Sequence, residues 1–143
     1  MQEKMAQDET AQDATVFDER VQQQARARAQ ELPGAGVGHS FGPEWDVYKV
    51  KGKVFMLMTA VTGEPIVILK ADPQDAKALR SEHEDITAGY HMNKQHWITV
   101  HPGGSIDPSL IDDLVTESYL LVVEKLPRPQ RPVDPAAFGR GER

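Results

Sequence analysis

Two apolar runs that do not alternate, Val54-Phe55-Met56-Leu57-Met58 and Ile66-Val67-Ile68-Leu69, constrain this chain most. A strand with one wet face alternates apolar and polar residues, whereas an unbroken run needs cover on both faces. Thr62-Gly63-Glu64-Pro65 stands between them, a turn too short for a crossover helix. Short connections force antiparallel pairing. The two runs therefore predict adjacent central strands of an antiparallel sheet.

The neighbouring segments extend that sheet. Trp45 to Val50 precedes Lys51-Gly52-Lys53, and Gly52 supplies the permissive backbone of a tight hairpin turn. Asp72-Pro73 opens a helix, with Asp72 as cap and Pro73 in the first turn; Asp107-Pro108 opens another in the same way. The latter carries the stripe Leu110, Ile111, Leu114, Val115, Ser118, Leu121 and Val122. An N-terminal helix follows from a capping box at Thr15 and Asp18, with Phe17, Val21, Ala25, Ala29 and Leu32 as its stripe. Pro33-Gly34 stops it, and the glycine-rich stretch 34–44 reads as a loop. Thr87 to His91 and Trp97 to His101 form a last hairpin. The expected fold is two-layer α+β in the order α-β-β-β-α-β-β-α, a five-stranded antiparallel sheet with its helices on one face. The expected core comprises Phe17, Val21, Val54, Met56, Ile66, Ile68, Leu79, Leu114, Val115, Leu121 and Val122. Residues 1–13 read as a disordered acidic extension, 14–127 as one domain and 128–143 as a flexible tail rich in Pro and Arg.

The 143 residues contain no cysteine, which excludes disulfides and thiolate chemistry. Net charge is -6, but residues 1–19 hold six carboxylates against Lys4, so the body is near neutral. Bulk charge therefore argues against a nucleic-acid coat and leaves room for a local basic patch. No leader is visible behind Met1, and no apolar run could span a bilayer, so a cytoplasmic protein without a membrane partner is expected.

Gly89-Tyr90-His91-Met92-Asn93-Lys94-Gln95-His96-Trp97 is the densest chemistry in the chain. Most of its side chains donate hydrogen bonds, more than a simple turn needs. With Leu32-Pro33-Gly34, Phe41-Gly42-Pro43, Val50-Lys51-Gly52-Lys53, Ser118-Tyr119 and Lys125-Leu126-Pro127, it resembles the MmcQ/YjbR family over residues 15–127. Gln95 stands where that family commonly has Arg, and Ile98 where it commonly has a polar residue. The resemblance implies a bacterial family without an established biochemical role and a secretion-chaperone-like fold. It also implies a DNA-binding label that rests on two hairpin wings.

Three readings follow. In the first, Lys51, Lys53, Asn93, Lys94 and His96 contact DNA weakly, through salt-sensitive phosphate contacts, with Lys49 near the first tip. In the second, the sheet face or the tail docks a protein, a peptide or another copy of the chain. In the third, Tyr90, His91, Asn93, His96 and Trp97 form a small-ligand pocket, with Tyr90 and Trp97 as a cross-strand aromatic pair. No cofactor and no metal is expected, because no carboxylate or cysteine lies between Ile86 and Ile106 to join His91, His96 and His101. No catalytic residue is assigned: His91 or His96 with Ser105 or Thr99 would be the nearest base and nucleophile. Gly34-Ala35-Gly36-Val37-Gly38 follows a helix and precedes a strand, so it reads as a connector rather than a phosphate loop.

Overall fold

A computed structural model describes residues 19–138. Its elements are α1 (Arg20–Gln30), β1 (Ala35–Gly38), β2 (Trp45–Val50), β3 (Lys53–Thr59), β4 (Ile66–Lys70), α2 (Pro73–Glu82), β5 (Ile86–Ala88), β6 (Trp97–Val100), α3 (Pro108–Val123) and a 3-10 turn at Arg128–Gln130. The sheet is antiparallel throughout, in the order β1-β2-β3-β4-β6-β5. The α+β class and the antiparallel sheet agree with the sequence reading. The strand count is corrected from five to six. Ala35–Gly38, expected as a connector, pairs with β2 from Ala35↔Val50 to Gly38↔Val47. Its composition carries no strand signal, and it forms because β2 offers an unpaired edge.

Asp72 and Asp107 cap as expected, accepting the backbone N–H of Gln74 and Ser109. The Thr15–Asp18 capping box and Phe17 lie outside the described residues.

The central strands are covered on both faces. Tyr48, Met56, Met58, Val67, Leu69, Ile98 and Val100 face the helices, β3 and β4 lying against α3 and β6 against α2. Val47, Leu57, Ile66, Ile68 and Trp97 form a second cluster on the opposite face. A bulge sets the helix-side face. Tyr48 pairs with Met56 and Lys49 with Val54, so Phe55 is the extra residue, and both Phe55 and Met56 join the helix-side core. Ser118, fully buried on α3, accepts the Lys70 N–H and donates to the Phe55 carbonyl, so this small hydroxyl pins the helix across β3 and β4.

Of the expected core, Val21, Met56, Ile66, Ile68, Val115 and Val122 are buried, whereas Val54, Leu79, Leu114 and Leu121 are half-buried. On α3 the buried face is turned toward Tyr119, Leu120 and Val123. Tyr119 has no exposed surface; its hydroxyl donates to the Pro33 carbonyl, and burial pushes the phenol up to about 12. The stretch from Arg128 to Phe138 is also corrected from a free tail. Val133 and Phe138 pack against the core, and the Arg131 guanidinium bonds the Leu126 and Glu124 carbonyls, satisfying the end of α3. Among the described residues no helix is long and apolar enough to cross a membrane.

Candidate nucleic-acid interface

Strand register places both polar hairpins at one end of the sheet. Val50 pairs with Lys53, Met56 with Leu69 and Lys70 with Trp97. The Lys51-Gly52 turn, the end of β4 and the segment before β6 therefore share that end. From the β2–β3 hairpin to the β6–β5 hairpin is three strand spacings, about 14 Å.

The first hairpin turns on two residues with left-handed backbone, Lys51 at φ 50 and Gly52 at φ 79. Such paired angles match the twist of the flanking strands. Lys51 and Lys53 are exposed, and Lys49 is half-buried on β2.

The second hairpin folds back. The Gly89 N–H meets the Trp97 carbonyl at 2.9 Å, and the Tyr90 N–H meets Thr99 Oγ1 at 2.8 Å, which turns the chain over the outer sheet face. Tyr90 and Met92 there cover Leu57 and Ile68 with their neighbours. The Tyr90 ring lies nearly parallel to Trp45, with centroids 6.3 Å apart, and 4.2 Å from the His91 ring. The expected partner of Tyr90, Trp97, instead lies buried in the same cluster beneath the Lys70 ammonium, which sits 5.3 Å from its ring. Lys94 donates to the Gly89 carbonyl at 2.7 Å. Asn93 Oδ1 accepts the N–H groups of Gln95 and His96 at 2.9 and 3.1 Å. Both side chains thus shape the loop, while His91, Asn93, Lys94 and His96 remain exposed.

At the same end of the sheet, where β3 and β4 meet the end of α3, lies a groove of about 350 Å³ walled by Lys53, Lys70 and Lys125 with Val54, Val122 and Leu126. His96 borders the adjoining depression with Lys70 and Lys125, and Asp72 and Glu124 line it too. Burial, and then the neighbouring Lys125 charge, hold the Lys70 ammonium below the usual lysine range. Among the described residues none of these three lysines has a carboxylate within ion-pair distance. Lysines gathered without an ion pair can receive an anion, although Asp72 and Glu124 nearby temper the local charge. The sequence reading missed Lys70 and Lys125. Lys70 only ends an apolar strand, and Lys125 lies 55 residues on; its place in Lys125-Leu126-Pro127 was the available signal.

The histidines are dispersed. His101 joins Glu64 at 2.6 Å and Thr87 at 2.8 Å, tying the β3–β4 turn to β5. Ser105 bonds Asp85, and Thr99 Oγ1 donates to the Ala88 carbonyl, so neither hydroxyl is engaged with His91 or His96. Among the described residues no three His, Asp or Glu side chains converge as metal ligands do.

A family model for YjbR matches residues 30–121. The chain belongs to the YjbR family. The match spans both hairpins and most of α3. YjbR-family relatives include the uncharacterized protein YbdF of Escherichia coli O157:H7, 45% identical over 112 residues, 78% of this chain and 92% of the relative. The uncharacterized protein YjbR of Escherichia coli K12 is 37% identical over 98 residues, covering 67% and 83%. Among solved structures, Deinococcus radiodurans protein DR2400, with domain DUF419, superposes with a TM-score of 0.69 at 34% identity, over 74% of this chain and 81% of that one. A Pseudomonas syringae protein gives 0.60 at 28% identity, over 69% and 96%. None of these names specifies an activity.

Proposed function

We propose that this YjbR-family chain binds DNA through phosphate contacts at the hairpin end of the sheet. The observation that carries the reading is the groove lined by Lys53, Lys70 and Lys125, which among the described residues have no carboxylate within ion-pair distance, at the end of the sheet that carries both hairpins. Lys51 extends the cationic surface on one side and Lys94 on the other, with His96 as a further hydrogen-bonding group. Asn93 and Lys94 hold the second hairpin in shape, so their contribution is partly positional. The net charge of -6 opposes non-specific attraction and keeps binding weak.

The test is affinity for a short duplex against salt. About three neutralised phosphates give a slope of log K on log salt near -2.7. Lys53→Met and Lys125→Met should each reduce the slope by about 0.9. Duplex that leaves the resonances of both hairpins unmoved at low salt would defeat the reading. A second reading has its own observation: the half-exposed row of Trp45, Tyr90 and His91 rings offers a face to a planar ligand. Salt-insensitive binding that is lost in Trp45→Ala would favour it.

A further inference from the structure

We propose that Thr87, His101 and Glu64 form a hydroxyl–imidazole–carboxylate relay that hydrolyses short-chain carboxylic esters. His101 Nε2 lies 2.8 Å from Thr87 Oγ1, and its Nδ1 lies 2.6 Å from Glu64 Oε2. Three separate elements supply the groups: Thr87 stands on β5, His101 directly follows β6, and Glu64 belongs to the turn before β4. Strand register brings them together, because Val100 pairs with Val67 on one side and with Ile86 on the other. That end of the sheet lies opposite the lysine groove, so the relay does not depend on DNA binding.

The order of bonding sets the roles. A carboxylate only accepts, so Nδ1 carries a proton toward Glu64. In the neutral imidazole Nε2 is then the acceptor, and the Thr87 hydroxyl donates to it. A base thus faces a nucleophile while a third group orients the base. Thr87 is exposed, so a substrate can reach its oxygen. The backbone adds a donor. The Gly89 N–H bonds the Trp97 carbonyl and the His101 N–H bonds the Asp85 carbonyl, so Asp85, Thr87 and Gly89 bond inward to β6. The Ala88 N–H alternates with theirs and points out from this edge strand. A backbone N–H one residue after the nucleophile is a recurrent oxyanion donor.

In the first step Thr87 Oγ1 bonds to the ester carbonyl carbon as its proton passes to His101 Nε2. The bond from that carbon to the leaving oxygen then breaks, and the imidazolium gives its proton to the departing alcohol. In the second step water attacks the acyl-threonine and loses a proton to Nε2. Collapse releases the carboxylic acid, and that proton restores the Thr87 hydroxyl. Glu64 touches no reacting atom and is a positioning residue. Two heavy atoms on the Thr87 Cβ crowd its oxygen, which favours a small acyl group.

The probe is p-nitrophenyl acetate with the full chain, read as p-nitrophenol release and as acetylated peptides by mass spectrometry. Turnover should exceed the buffer rate, with acetyl label on Thr87. Thr87→Val and His101→Gln should each lower kcat/KM by about 100-fold or more, as for a lost nucleophile or general base. Thr87→Ser should keep turnover, since it retains the hydroxyl. Glu64→Gln should lower kcat by about tenfold or more with KM held, and Glu64→Asp should recover part of that loss. Melting curves for each variant separate lost fold from lost chemistry. Turnover no faster than buffer, label on lysines alone, or Thr87→Val as active as the parent chain would overturn the proposal. So would variants that lower the melting temperature with turnover unchanged, which would leave the three groups as a clamp between the β3–β4 turn and β5.

Discussion

The two hairpins at the basic end of the sheet reverse the chain by opposite means. β2–β3 does so with Lys51 and Gly52 alone, both in left-handed backbone, with nothing within 4 Å of a Cβ built on Gly52. β5–β6 spends eight residues, and three of its own side chains or close contacts fix their path: Asn93, Lys94 and the approach of Gly89 to Trp97. The first is a projecting tip held only by its torsions. The second is a flap whose Tyr90 and Met92 complete the outer apolar cluster. Similar polar composition therefore conceals two kinds of structure, and stability measurements should separate them.

The largest contrast is between glycines. A Cβ on Gly89 would stand 2.5 Å from Trp97 Cβ and 3.0 Å from Trp97 backbone atoms, none of which can rotate away. Gly89→Ala should destabilise by about 3 kcal/mol in urea titration, at the upper end for overpacking. Gly52→Ala meets open space but keeps φ 79, so only the backbone penalty remains, about 1 kcal/mol. Equal losses would show that the flap yields as easily as the tip.

Tyr90→Ala comes next, at about 2 kcal/mol, from lost contact with Trp45 and exposed apolar surface beneath. Near-UV circular dichroism should report the changed surroundings of Trp45. A loss under about 0.5 kcal/mol would mean that the flap does not seal the outer face.

Asn93 and His96 divide within the flap. Asn93→Ala removes the acceptor of two N–H groups and should lower stability by about 1 kcal/mol. His96 enters the loop's hydrogen bonding through its backbone, so His96→Ala should stay within about 0.5 kcal/mol and change binding instead. Matching melting temperatures for the two variants would erase that division.

The smallest effect has the opposite sign. Lys51 occupies φ 50, where Asn is favoured. Lys51→Asn should stabilise the tip by roughly 0.5 kcal/mol and flatten the salt slope of duplex binding by about 0.9. Stability gained with the slope unchanged would remove Lys51 from the DNA surface.

Much of the fold was legible because its signals are local. Asp72-Pro73 and Asp107-Pro108 supply a cap acceptor and a preset torsion within adjacent residues. Lys51-Gly52-Lys53 carries its own turn. The runs at 54–58 and 66–69 show by their lack of alternation that both faces are covered. β1 was not legible, since Ala-Gly-Val-Gly acquires strand geometry only from its partner. The rotated buried face of α3 was not legible either, because Leu110, Leu114 and Leu121 compete equally with Tyr119, Leu120 and Val123 until the sheet is in place.

The candidate site divides in the same way. The polar richness of residues 89–97, and lysines at the first tip, stand in the sequence itself. Their common end of the sheet follows only from strand register. What Asn93 and Lys94 bond, and that Tyr90 meets Trp45 rather than Trp97, depend on the flap folding back through Thr99. Lys70 and Lys125 become one site only because Ser118 seats α3 across β3 and β4. Sequence determines what a few neighbouring residues decide through torsions, caps and turn chemistry. Tertiary packing decides which distant charges share a groove, because that depends on register and helix placement, which no short segment encodes.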